Sequence, residues 1–105
     1  MQHLEGILDN IGLIKEYTQG STYDSFIQDR KTRDAVERCL ARISEAASKL
    51  ETAAEALIPG QPWSEIRAIG NIIRREYDTI DAEIIWNVVK RDLESLRSSV
   101  EIALE

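Results

Sequence analysis

Within residues 63–81, W-S-E-I-R-A-I-G-N-I-I-R-R-E-Y-D-T-I-D, four polar residues, Arg67, Asn71, Arg74 and Asp78, recur at steps of four, three and four. Side chains at that spacing share one face of an α-helix. At about 100° per residue they fall within roughly a sixth of a turn. The row joins cation, amide, cation and carboxylate, and Arg75 beside it adds a further cation. Guanidinium groups hold phosphate through paired N–H donors, so Arg67, Arg74 and Arg75 form a candidate phosphate-binding patch, which Arg91 and Arg97 could extend. Tyr77 reads either as an aromatic at the edge of a core or as a hydroxyl placed for chemistry. The blander reading of the row is a solvated helix face, the usual fate of a charge run.

The surrounding pattern supplies a helix to carry the row. Ile66, Ile69, Gly70, Ile73 and Tyr77 occupy the neighbouring sector and can face a core. Gly70 costs a mid-helix position roughly 1 kcal/mol against alanine, which predicts close approach there by another helix, a partner chain or a phosphate. Pro59, Gly60 and Pro62 precede the segment and stop whatever helix comes before it.

Three further helices follow from apolar periodicity. Leu4, Ile7, Leu8, Ile11, Ile14 and Tyr17 predict a first helix over about 2–18, ended by Gly20, Ser21 and Thr22. Y-D-S-F-I-Q-D allows about one extra helical turn, with Phe26 as a plug into the core. Val36, Leu40, Ile43, Ala47, Leu50, Ala54 and Leu57 predict one long helix over about 32–57, and the row-bearing helix runs over about 63–77. Asp81 suits the N-cap of a last helix, whose stripe is Ile85, Val88, Val89, Leu93, Leu96, Val100 and Leu104. No segment alternates with period two. The expected architecture is all-α: an antiparallel four-helix bundle with a short helical turn after the first helix, forming one domain over residues 1–105.

Composition limits the function. The chain has 105 residues, 30 % of them charged, and a net charge of −6. Its overall field therefore repels nucleic acid, and binding of RNA requires a local basic patch. No apolar run reaches the ~18 residues of a membrane span, and M-Q-H-L-E-G has no hydrophobic signal core, which predicts cytoplasmic residence without membrane contact. Cys39 stands alone and reads as a small buried apolar side chain. With His3 as the single histidine, neither a metal site nor a Cys-His nucleophile finds its ligands, and no Gly-rich phosphate loop is present, so no cofactor is expected. Trp63 and Trp86 read as packing anchors, and Glu45 with Lys49 as a surface ion pair one turn apart.

Y-T-Q-G, F-I-Q-D-R-K-T-R-D-A-V-E-R-C-L, S-E-A-A, P-W-S-E-I-R-A-I-G-N-I-I-R-R-E-Y-D-T-I-D and I-I-W-N-V-V-K-R-D-L-E-S-L, in that order, resemble the HepT-like ribonuclease toxins of the HEPN superfamily over nearly the whole chain. The resemblance implies a helical homodimer with metal-independent RNA endonuclease activity in a cleft at the dimer interface. It also implies a cognate minimal nucleotidyltransferase antitoxin of the MntA type, which adenylylates a toxin tyrosine. Onto this chain the family motif carries Asn71 in the asparagine place and Tyr77 in the tyrosine place, the latter being the expected modification site. Gly70 stands where an arginine is usual, as in a branch reading G-N-x-x-R-H-x-Y-D that also accounts for Arg74.

Arg75 occupies the histidine place. Imidazole moves protons near neutral pH, whereas guanidinium stays charged. Asn71, Arg74, Arg75 and Tyr77 are thus the candidate catalytic residues, with Arg75 able to hold phosphate but unable to serve as a base. Two readings follow: a HepT-like toxin of a type VII-like toxin-antitoxin pair, or a catalytically silent HEPN interaction module that binds a nucleotidyltransferase partner or nucleotide.

Overall fold

The computed structural model describes residues 2–75 and 82–105, with the backbone alone for Arg74 and Arg75. Helix α1, Gln2–Thr18, has the expected bounds. Its three- and four-residue apolar steps put Leu4, Ile7, Ile11 and Ile14 in the core, none more than 1 % exposed. Thr18 turns its hydroxyl back to the Ile14 carbonyl at 2.8 Å, and Gly20 leaves the helix at φ +79, a conformation that glycine adopts without strain. Helix α2, Tyr23–Gln28, starts at a capping box in which Thr22 and Ser25 bond each other's backbone N–H. Phe26 is fully buried, as its isolated apolar position implied.

Helix α3, Arg30–Leu50, is capped by Asp29, whose carboxylate accepts from the Thr32 N–H at 3.1 Å and the Thr32 hydroxyl at 2.6 Å. The sequence predicts one helix from here to Leu57. Instead α3 ends at Leu50, and α4, Thr52–Leu57, begins beyond Glu51, which sits at φ 51, ψ −137. No glycine or proline announces this break in an alanine-rich stretch of high helix propensity. Tertiary packing overrides propensity here, since Ala54 and Ile58 are buried beyond the break.

Helix α5, Trp63–Arg75, carries the polar row. The last helical run consists of α6, Ala82–Asn87, a π-turn at Val88–Asp92, and α7, Leu93–Ala103. The π-turn, closed by the Leu93 N–H on the Val88 carbonyl, departs from the regular helix that the stripe predicts. In an unbroken α-helix Ile85 and Leu93 would be out of phase by about 80°. Absorbing one extra residue reduces this to about 20°, and Ile85, Leu93, Leu96 and Val100 all reach the core. The Asp81 N-cap lies outside the described residues.

Helix α1 packs on α3 and α7, α3 on α5, and α2 on α3 and α6. The four long helical runs form the all-α bundle, with α2 as the short element after the first; among the described residues no strand forms. Trp86 rests on Phe26 with ring centres 5.1 Å apart, while Trp63 and Cys39 are buried at 2 % and 1 % exposure. Both tryptophans are packing residues. Burial also pushes the Cys39 thiol above its ordinary range, leaving it a core side chain rather than a reactive one.

Candidate nucleic-acid interface

The start of α5 is pinned from three sides. The Trp63 indole N–H donates to the Ile58 carbonyl at 2.9 Å and its backbone N–H to the Gln61 carbonyl at 2.8 Å. Gln61 in turn donates to the Ser99 and Ser95 hydroxyls of α7 at 2.9 and 3.1 Å. One turn further on, the sector of Ile66, Gly70 and Ile73 turns toward the core as expected, with Ile66 and Gly70 buried and Ile73 half-buried.

Gly70 lies at the contact with α3. The hydroxyl of Ser44 on α3 accepts from the Gly70 N–H at 3.0 Å and donates to the Arg67 carbonyl at 2.8 Å. Of the three occupants the sequence allowed, a neighbouring helix stands within hydrogen-bond reach. Ser44 itself was not singled out, since a serine inside an amphipathic helix carries no periodic signal.

Arg67 lies on the same face of α5 and points toward the α3–α4 break. Its Nε donates to the Ala47 carbonyl at 3.2 Å, and one Nη2 bond reaches the Glu51 carbonyl at 2.7 Å. Nη1 and Nη2 grip the Glu55 carboxylate at 3.0 and 2.6 Å. Four of the five guanidinium N–H donors are therefore engaged within the chain. The bonds from Arg67 hold the Glu55 carboxyl below its ordinary value, and Glu55 raises Arg67 in return. Neither Glu55 nor the carbonyls at 47 and 51 could be read as partners from sequence, because the packing of α5 on α3 and the break beyond Leu50 bring them to Arg67.

Asn71, one turn beyond Arg67, is exposed. The backbones of Arg74 and Arg75 close the helix. Their side chains, with Tyr77 and Asp78, lie outside the described residues. The two arginines that could extend the patch are matched by carboxylates: Arg91 pairs with Asp92 at 3.4 Å, and Arg97 pairs with Glu94. Beside the row, an apolar cleft of about 260 Å³ runs between α3, α5 and the last helical run, lined by Leu40, Ile43, Ile66, Ile69, Val88 and Leu96 among others. Its walls suit hydrocarbon rather than phosphate. Among the described residues no group of three or more His, Cys, Asp or Glu side chains stands together to hold a metal ion, and no helix is long and apolar enough to cross a membrane.

Fold and site together define an all-helical bundle whose third long helix, fixed against α3, carries the exposed Asn71. The description of HepT-like ribonucleases matches residues 7–103, and the chain belongs to this family of HEPN proteins. A probable ribonuclease HepT of Thermococcus cleftensis is 33 % identical over 99 residues, which is 94 % of this chain and 90 % of that protein. A candidate RNase of Methanocaldococcus jannaschii is 32 % identical over 99 residues, covering 94 % of this chain and 91 % of its own length. A longer protein of the same organism, named as a gamma-glutamylcyclotransferase and candidate RNase, is 34 % identical over 98 residues, and this chain spans 44 % of it. No solved structure matches the chain.

Proposed function

We propose that the chain is the HepT-like toxin component of a type VII-like toxin-antitoxin pair. It works in the cytoplasm as a homodimer that holds RNA phosphate in a cleft between two copies of α5. Asn71 orients the scissile phosphate or an attacking hydroxyl, and Arg74 and Arg75 hold the phosphate and stabilise developing negative charge. Tyr77 is the residue that a cognate minimal nucleotidyltransferase adenylylates. The added phosphodiester brings negative charge and bulk into the groove and so excludes RNA. The observation that carries this reading is the family match over residues 7–103. The exposed half-turn around Asn71 and the apolar surface next to it, with Ile72 45 % exposed, support a groove closed by a second copy. Pairing two such helices is how a protein of net charge −6 concentrates cations locally.

Arg75 in the histidine place favours a second reading, a catalytically silent module that keeps the bundle and binds the nucleotidyltransferase or a nucleotide. General acid–base transfer is worth a factor of about 10² to 10⁴ in rate, and guanidinium cannot supply it. The two readings separate when purified protein and its Arg75→His variant are incubated with cellular RNA. Cleavage by the natural protein refutes the silent module, with the variant expected to be faster by about 10² to 10⁴. Cleavage by the variant alone supports the silent module, and cleavage by neither removes the nuclease reading.

A further inference from the structure

Every resolved bond of the Arg67 guanidinium runs inward. It crosses the α3–α4 break, taking the Ala47 carbonyl on one side at 3.2 Å, the Glu51 carbonyl at the break itself at 2.7 Å, and the Glu55 carboxylate on α4. At the same residue the backbone carbonyl receives the Ser44 hydroxyl, which also accepts from Gly70. Both ends of Arg67 thus tie α5 to α3 and α4. A phosphate ligand with four N–H donors already engaged has one left to offer, and loses the bidentate fork for which arginine is suited.

We infer that Arg67 is a positioning residue: its clamp on Glu51 and Glu55, with the Ser44 bridge, sets the rotation and axial register of α5, and thereby where Asn71 and the arginines at the helix end meet RNA. The inference rests on the proposed RNA-binding role of α5. Arg67 lies two turns before Arg74 on the same face, and side-chain tips stand about 6 Å from a helix axis. A rotation of α5 by only about 10° would displace them by about 1 Å, an error of the size that costs a pre-arranged site heavily. The clamp also removes Arg67 from the cationic patch.

The roles of clamp and phosphate ligand predict opposite effects of one substitution. Glu55→Gln loosens the clamp but releases Arg67 for a polyanion. Binding of a single-stranded oligoribonucleotide is measured at several salt concentrations for the full chain, Glu55→Gln, Arg67→Lys, Arg67→Gln and the Glu55→Gln/Arg67→Lys double variant, each with its thermal midpoint. A positioning role predicts weaker binding in both single variants, by about fivefold or more. The double variant is expected to be no worse than Arg67→Lys, and the dependence of log K on log salt to keep its slope, because no phosphate contact is lost. Tighter binding by Glu55→Gln, or Arg67→Gln flattening the slope by about 0.7, the share of one contact on single strands, overturns the inference and returns Arg67 to the groove. Glu55 is half exposed, so its substitution leaves a folded protein to test. Absence of binding by the unaltered chain removes the RNA reading itself, and the inference with it.

Discussion

Ser44 illustrates how a single hydroxyl can decide the placement of a helix. It is 3 % exposed, and both of its hydrogen bonds reach backbone atoms of α5 that already take part in that helix. Removing it leaves no buried polar group stranded, so Ser44→Ala is expected to cost about 1 kcal/mol, the net worth of a typical hydrogen bond. Ser44→Val should cost more, about 1–3 kcal/mol, because a branched side chain cannot fit where Gly70 approaches. Urea denaturation reads both as a shift of midpoint at constant slope. A Ser44→Val variant as stable as the unaltered protein would show that the two helices are not held this closely.

At the scale of the element, the break between α3 and α4 is the least regular feature of the chain. Glu51 is the one described residue other than glycine with positive φ, at 51°. An L-residue held in such a region stores on the order of 1–3 kcal/mol of strain. Arg67 engages the Glu51 carbonyl rather than its side chain, so glycine keeps the clamp while relieving the strain. Glu51→Gly is therefore expected to stabilise the protein by about 1 kcal/mol and to raise the thermal midpoint by about 4–8 °C. A fall in the midpoint would mean that the Glu51 side chain supports the break in a way its geometry does not indicate. The π-turn at Val88–Asp92 is the other irregularity. It narrows the angle between Ile85 and Leu93 about the helix axis from about 80° to about 20°.

For the whole molecule, carboxylates tie the elements together and set its acid sensitivity. Glu55 is held low by the bonds from Arg67, Glu94 by those from Arg97, and Asp29 by the Thr32 hydroxyl and backbone. A depressed folded-state value means that each contributes stability above its ordinary value, near 4.5 for the glutamates and 3.8 for the aspartate, and loses it as pH falls through the lower folded value. Glu37 works in the opposite sense, since burial raises it and its contribution is lost as pH rises. Thermal midpoints taken from pH 7 down to pH 3 are expected to fall below about pH 4.5, and Glu55→Gln to flatten part of that fall. An identical acid profile in Glu55→Gln would show that the ionised Glu55 carboxylate contributes nothing to the stability of the bundle.

Much of this was legible in the chain alone. The bounds of α1, the Phe26 plug, the helix opening at Trp63, the core stripe of the last helical run and the all-α architecture follow from apolar periodicity and breakers, because burial of one helix face is a local, repeating demand. The family was legible too, in the run from Trp63 to Tyr77. The break at Glu51, the π-turn and the occupants around Gly70 were not, since each answers a contact made by residues distant in sequence. The same holds for Arg67. Charge type and spacing placed it in a polar row beside Asn71, but its partner at 47 becomes a neighbour only when α5 packs on α3, and those at 51 and 55 only beyond the break that ends α3. A sequence specifies which groups a helix carries; which of them are already engaged depends on how the neighbouring helices pack, and only the tertiary structure decides that.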